Sequence, residues 1–340
     1  MKRTVGGAAL FGGGLFLIVV AAALALVITP LLSKLPFDLD PPETTLEAPD
    51  ATFVQAKMVN GAPQIGVERG ALLATTGIQP DLGASAELTG ALANEAVVWN
   101  VYQNIRRAGT DELISASESR IALDRKTGAA ADWSGQCFTD QEDQPCQGGN
   151  ISYGGQLYAF PFGTEKTTYQ YFDSVLKTTL PLAYRGTDTV EGLTAYRFEQ
   201  AVPEQPATMD SELVSTLLAI FAPGATSGTV QYRASRTIWV EPVTGSIVDY
   251  REQQHRVLVS DTGVRTTLLD AEFRYTPETR ATVADKAGAG RSSLRLLGWY
   301  APIGLTVLGV ALLVFGFFLV RPARRTAPAP AHRAPTPAPA

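Results

Sequence analysis

The side chains able to do acid–base, nucleophilic or metal chemistry are few in this sequence, and their spacing argues against most of it. Only two histidines occur, His255 and His332. His332 lies in a Pro/Ala-rich tail, so a Ser-His-Asp or Cys-His arrangement has His255 alone to draw on. That residue falls between Gln253, Gln254 and Arg256 in an alternating run, the context of a solvated or locally hydrogen-bonded strand histidine. The two cysteines, Cys137 and Cys146, have no nearby histidine and make half a zinc site at most, so no metal site is expected. Asp140, Glu142 and Asp143 between them lack the alternation and glycine of a calcium loop. Gly12 to Gly14 sit in an apolar run, and Gly288 and Gly290 lack the following Lys-Ser or Lys-Thr of a phosphate loop. Carboxylate pairs spread over the chain are the only catalytic chemistry left open, and no pair is marked out by context. A non-enzymatic protein without cofactor is the expectation.

The apolar segments carry more information. From Thr4 to Ser33 there is no charge, and LFGGGLFLIVVAAALALVITPLL is long enough to cross ~30 Å of hydrocarbon as a helix. A cleaved signal peptide is the rival, since Lys2 and Arg3 form a basic start, but signal cores run roughly 7 to 15 apolar residues and this one is about twice that. A second uncharged stretch, LLGWYAPIGLTVLGVALLVFGFFLV, lies between Arg295 and Arg321, with Trp299 and Tyr300 suited to the headgroup level. Arg321, Arg324, Arg325 and Arg333 beyond it, and Lys2 and Arg3 at the start, place both termini in the cytoplasm by the positive-inside rule. A two-pass plasma-membrane protein with its middle outside follows.

The two tails hold six basic and no acidic residues, so the remainder carries −11 where the whole chain carries −5. That charge argues against nucleic acid as a partner and leaves membrane lipid, envelope proteins or a second copy. In an export-side domain Cys137 and Cys146 form a disulfide by default, closing one short polar loop. Asn150-Ile151-Ser152 is a formal glycosylation sequon.

The expected fold class is α+β: a mainly antiparallel β external domain with a few helices, flanked by two transmembrane helices. The boundaries expected are 1–33 for the first helix, 34–52 for an extended Pro- and acid-rich stalk, 53–290 for the external domain, 291–320 for the second helix and 321–340 for an unfolded tail. VWNVYQNIRRA and DELISASESRIALDRKTG read as strands, and two alternating runs flank Val190-Glu191-Gly192 as a hairpin. TVQYRASRTIWV, SIVDYREQQHRVLVS and VRTTLLDAEFRY spell a meander with one wet face bearing the charged residues. Leu213, Leu217 and Phe221 recur every four residues and predict a helix over 209–221, capped by Thr208 and stopped at Pro223-Gly224. A shorter helix is open around Tyr171 to Lys177. Aromatic residues at the density of segment 153–172 fill a core before they line a cavity. The candidate apolar ligand lining is Leu213, Leu217, Phe221, Phe160, Phe162 and Tyr171.

The string FPFGTEKTTYQYFD, followed by VEGLTAYRFEQAVP, together with LDRKTG and the two terminal spans, resembles the actinobacterial PorA-type porin family over almost the whole chain. That resemblance implies a role in envelope permeability, with transport of solute or lipid. Porin barrels close through lipid-facing strands, whereas here two helices do the membrane work and the strands carry Arg, Glu, Gln and Asp. Helix oligomers or a route through the domain are then the ways to conduct anything. The layout of two anchors around a β-rich domain is also similar to that of animal class B scavenger receptors, which suggests an apolar channel in the domain and a lipid-binding or scaffolding module as the alternative.

Overall fold

A computed structural model describes residues 2–59, 62–140 and 146–320. The acidic residues Glu142 and Asp143, and the tail from Arg321 with His332, lie outside these residues. The chain forms two compact units, one of residues 1–29 with 295–340 and one of residues 30–294.

In the smaller unit, helix α1 (Lys2–Ala23) continues through a π-turn (Leu24–Ile28) into α2 (Thr29–Leu32). It packs antiparallel on α6 (Ala301–Val320), which follows a second π-turn (Leu296–Tyr300). The contact is made by glycine. A Cβ added to Gly14 would stand 2.5 Å from the Gly309 carbonyl oxygen, and one on Gly316 would stand 2.9 Å from the Gly7 oxygen. Apolar helices in lipid gain nothing from burying leucine against leucine, so close backbone approach at small residues is what holds such a pair. Phe16, Leu26, Trp299 and Phe318 on the remaining faces are exposed.

The larger unit is an eleven-stranded antiparallel half-barrel sheet. Its strands are β1 (Thr44–Val59), β2 (Ala62–Pro80), β3 (Ala96–Arg107), β4 (Leu113–Asp124), β5 (Cys137–Thr139), β6 (Tyr169–Asp173), β7 (Thr178–Val190), β8 (Leu193–Pro206), β9 (Gly228–Glu241), β10 (Ser246–Ser260) and β11 (Arg265–Tyr275). Their order across the sheet is β5-β4-β3-β2-β1-β11-β10-β9-β8-β7-β6, so two meanders meet where β1 pairs with β11. The short helix α3 (Leu82–Ala86) is capped by Asp81, and α4 (Ser211–Phe221) and α5 (Pro277–Arg295) complete the elements. The mainly β, α+β class read from the sequence is the fold observed.

Several local readings are corrected. The segment 34–52, expected to be an extended stalk, packs on the domain in its first part and is strand in its second. Leu35 is buried, its N–H donates to the Arg125 carbonyl at 2.7 Å, the Arg125 guanidinium lies 3.8 Å from the Phe37 ring centre, and β1 already starts at Thr44. Residues Tyr171 to Asp173 are strand rather than helix, because Asp173 accepts from the N–H groups of Val175 and Leu176 and turns the chain. Asp210, not Thr208, caps α4, accepting from Glu212 at 2.7 Å. Helix begins at Pro277, well before the apolar stretch: the Thr279 hydroxyl donates to the Thr45 carbonyl at 3.1 Å, and Val283, Ala284 and Ala287 bury against the sheet's convex face.

The interior packs on the concave face. Trp99, Ile121 and Leu123 meet Tyr153, Leu157 and Phe172, while Phe198, Ile238 and Val240 meet Phe160 and Tyr171. Residues 153–162 therefore fill the half-barrel as their aromatic content requires.

Candidate functional site

The charged residues of the meander are not confined to the wet face. Strand β9 alternates so that Val230, Tyr232, Ala234, Arg236, Ile238 and Val240 all turn inward, and register sets Arg236 opposite Glu252 of β10. The wet face read from the sequence holds Arg251 and Glu272, as an exposed pair, but Arg236 and Glu252 lie on the other face.

Arg236 is the centre of the interior cluster. Its Nη1 donates to Asp173 Oδ2 at 2.7 Å and to Gln200 Oε1 at 2.6 Å, and its Nη2 stands 2.5 Å from Glu252 Oε1. The Tyr232 hydroxyl donates to the same Asp173 oxygen at 2.9 Å, and the Tyr250 hydroxyl donates to Glu252 Oε2 at 2.8 Å. Burial opposes the charge on Arg236, but Glu252, the two tyrosines and Asp173 more than offset it and push its pKa up. Burial pushes Tyr171 up to about 12 and raises Tyr232 and Tyr250 as well. Asp173 is fully buried and Arg236 is 4% exposed, so one cation stands between two anions with their hydrogen-bonding capacity largely met. Arg256, two turns of the pleat away, donates to Gln254 Oε1 at 2.7 Å and lies 5.9 Å from the Tyr232 ring centre; burial lowers its pKa. The cluster organises the interior, although Glu252 Oε1 meets Arg236 as an ion pair only and the buried Arg256 Nε has no hydrogen-bond partner among the described residues. No group of three metal-ligating side chains occurs among the described residues.

The candidate lining residues fall into three places. Phe160 and Tyr171 share one core cluster, Leu217 and Phe221 share another with Val230 and Leu258, and Phe162 packs against a third. Leu213 is 44% exposed on the outer side of α4. His255 lies on the convex face with its Nδ1 3.6 Å from Asp270 Oδ2. Cys137 and Cys146 are joined as a disulfide. Asn150 brackets Phe138 at the edge of the sheet, accepting its N–H at 2.9 Å and donating to its carbonyl at 2.7 Å. The Asn150 amide is thus engaged in holding β5. A depression of about 290 Å³ beside α5 is lined by Asp188, Glu191, Asp249, Trp239 and Arg280, but its acids are already engaged. Asp188 accepts from Trp239 and pairs with Arg197, while Arg280 faces Glu191 at 3.2 Å and Asp249 at 3.8 Å. Sequence reasoning missed the Arg236 cluster; its one available signal was the even spacing of Arg236 with Val230, Tyr232 and Ile238.

The family model described as Porin PorA matches residues 6–318, both apolar helices and everything between. A Porin PorA of Corynebacterium resistens is 25% identical over 68% of this chain and 73% of that protein. A Porin PorA of Corynebacterium amycolatum is 25% identical over 60% of this chain, which spans 64% of that relative's length.

Proposed function

The chain belongs to the PorA porin family, which gives it a porin-like role in a cell envelope; on that premise we propose that it acts in permeability through its pair of terminal helices, the pairs of several chains assembled side by side. The carrying observation is the glycine contact. With Gly14 against Gly309 and Gly7 against Gly316, the helix pair of one chain leaves no lumen between its helices. The sheet is a poor candidate for the conducting wall, because its convex face bears ion pairs such as Arg197 with Asp188 and Arg274 with Glu47. A water-filled path between apolar helices then needs more than one chain. Both termini lie in the cytoplasm in this reading, and the domain faces outward.

Purified full-length protein in planar bilayers is expected to give step conductances whose frequency rises more steeply than linearly with protein amount. Absence of conductance at every protein-to-lipid ratio sinks the proposal. Thiol labelling of intact cells after reduction should reach Cys146, Cys137 being buried, and protection of Cys146 from an impermeant reagent reverses the orientation.

A second reading, carriage of an apolar ligand by the domain, is favoured by Leu213, which α4 leaves exposed above Leu217 and Phe221. Stoichiometric lipid retained by the protein, found by mass spectrometry and lost on Leu213→Asp, would support it.

A further inference from the structure

Strands β1 and β2 outrun the sheet. The pairing of β1 with β11 ends at Phe53 opposite Leu269, and that of β2 with β3 begins only at Leu72 opposite Arg107. Beyond these limits, residues 54–59 of β1 pair only with 62–67 of β2, as a two-stranded arm whose base on β2 is residues 68–70. Such a ribbon is marginal in water unless something covers it.

The polarity of this arm is the reverse of that in the rest of the sheet. On the face that carries buried Phe53 and Leu72, the arm places Gln55, Lys57 and Glu68. These are tied together: Lys57 meets Glu68 at 2.9 Å, and Arg107 donates to Gln55 Oε1 at 3.0 Å and stands 3.7 Å from Glu68. On the opposite, convex face, register stacks Val54 on Val67 and Ala56 on Ile65. Ile65 is 40% and Val67 43% exposed, and neither joins the neighbouring core cluster of Phe53 and Leu72. Polar groups inward and aliphatic groups outward is the pattern of strands whose outer solvent is hydrocarbon. The chemistry of the stretch agrees. Residues 58–67, MVNGAPQIGV, hold no charge, in a chain whose external part carries −11. This is where so acidic a domain approaches an anionic lipid surface without repulsion.

Position adds a constraint. β1 starts beside the end of β11, where Thr276 N–H donates to the Thr45 carbonyl at 3.0 Å and α5 leaves the sheet. The arm is at the other end of β1, with the β10–β11 turn and α4. We infer that the arm is a lipid-contacting element: its convex face, Val54, Ala56, Ile65 and Val67, lies in the interfacial layer of a lipid surface, with the Gln55–Arg107–Glu68–Lys57 set behind it. This holds however the helices assemble.

The test uses full-length protein in nanodiscs, carrying Val67→Cys with an environment-sensitive fluorophore, the native cysteines remaining in their disulfide. Vesicles of phosphatidylcholine and phosphatidylglycerol should shift the emission to the blue, brominated lipid should quench it, and the same probe at Thr262→Cys should respond less. Ile65→Glu with Val67→Glu should reduce co-flotation with the vesicles by about tenfold, equivalent to about 1.4 kcal/mol. Unchanged emission of the Val67 probe with vesicles overturns the inference. So does a blue shift that depends on protein concentration without vesicles, which assigns the face to a second copy.

Discussion

The two units of the molecule hold together by opposite means. Among the described residues the helical pair has no ionised contact between its helices, which are joined by backbone approach at Gly7, Gly14, Gly309 and Gly316. The sheet domain encloses a guanidinium between two carboxylates and closes over them with aromatic rings. In hydrocarbon a charge loses its solvation at high cost and apolar burial gains nothing, so shape decides. In water, burial supplies the driving force, and a charge can be enclosed if every partner is present.

The largest effect that would sharpen this contrast is expected at Arg236. Arg236→Met leaves Asp173 and Glu252 buried without their cation, and loss of one member of such a set costs roughly 3–5 kcal/mol. Thermal unfolding followed by circular dichroism should show a drop of many degrees, and Asp173→Asn with Glu252→Gln added should recover much of it. A small effect of Arg236→Met alone would mean that the cluster is wetter than its burial implies.

Asp261 gives a smaller, pH-dependent effect. Its carboxylate accepts from the N–H and hydroxyl groups of Thr226 and Ser227, and the Thr226 hydroxyl in particular holds its pKa below the ordinary value of 3.8. A carboxylate depressed in the folded state contributes stability that is present above its unfolded pKa and is lost as pH falls through the folded value. The melting temperature of Asp261→Asn should therefore lie slightly below that of the parent near neutrality and converge with it in acid. Parallel curves at all pH values would remove the linkage.

The smallest effect on the sheet is expected from Gly309→Leu. Its Cβ would meet the Gly14 carbonyl oxygen at 2.7 Å, so the helices must separate. Disulfide cross-linking between cysteines placed at Leu10 and Leu313 should weaken severalfold, while the melting of the sheet domain stays where it was. A coupled loss of domain stability would contradict the division into two units.

What was legible in the residues follows the same division. The two spans and the meander of β9 to β11 announce themselves, one by uninterrupted apolar sequence and the other by alternation broken at Pro242–Gly245 and Asp261–Gly263. Helix α5 does not, since ETRATVADKAGAGRSSLR is polar with two glycines; it is held by Thr276, Thr279 and the three small or branched residues Val283, Ala284 and Ala287. β1 was hidden by Pro49 and the acids around it, which read as linker composition, although register with β2 and β11 makes Thr44 to Ala48 strand. The Arg236 cluster needed three strands to converge, Asp173 from β6, Arg236 from β9 and Glu252 from β10, and no local pattern encodes that convergence. The lining residues of the apolar site separated because helix α4 and the aromatic segment fill different parts of the concave face.

The seam between β1 and β11 has a consequence for how the chain acquires this shape. Each half of the sheet is a run of neighbours, hairpin after hairpin, able to form as soon as its own residues are available. The seam joins Leu46 to Tyr275 and must wait for nearly the whole domain to be made. Closing so long a loop is entropically costly, and pairings of that kind set the folding rate. Until then β1 and β11 are both open edges able to recruit other chains. The interval between translation of Tyr275 and closure of the seam is therefore the most aggregation-prone moment in the life of the protein.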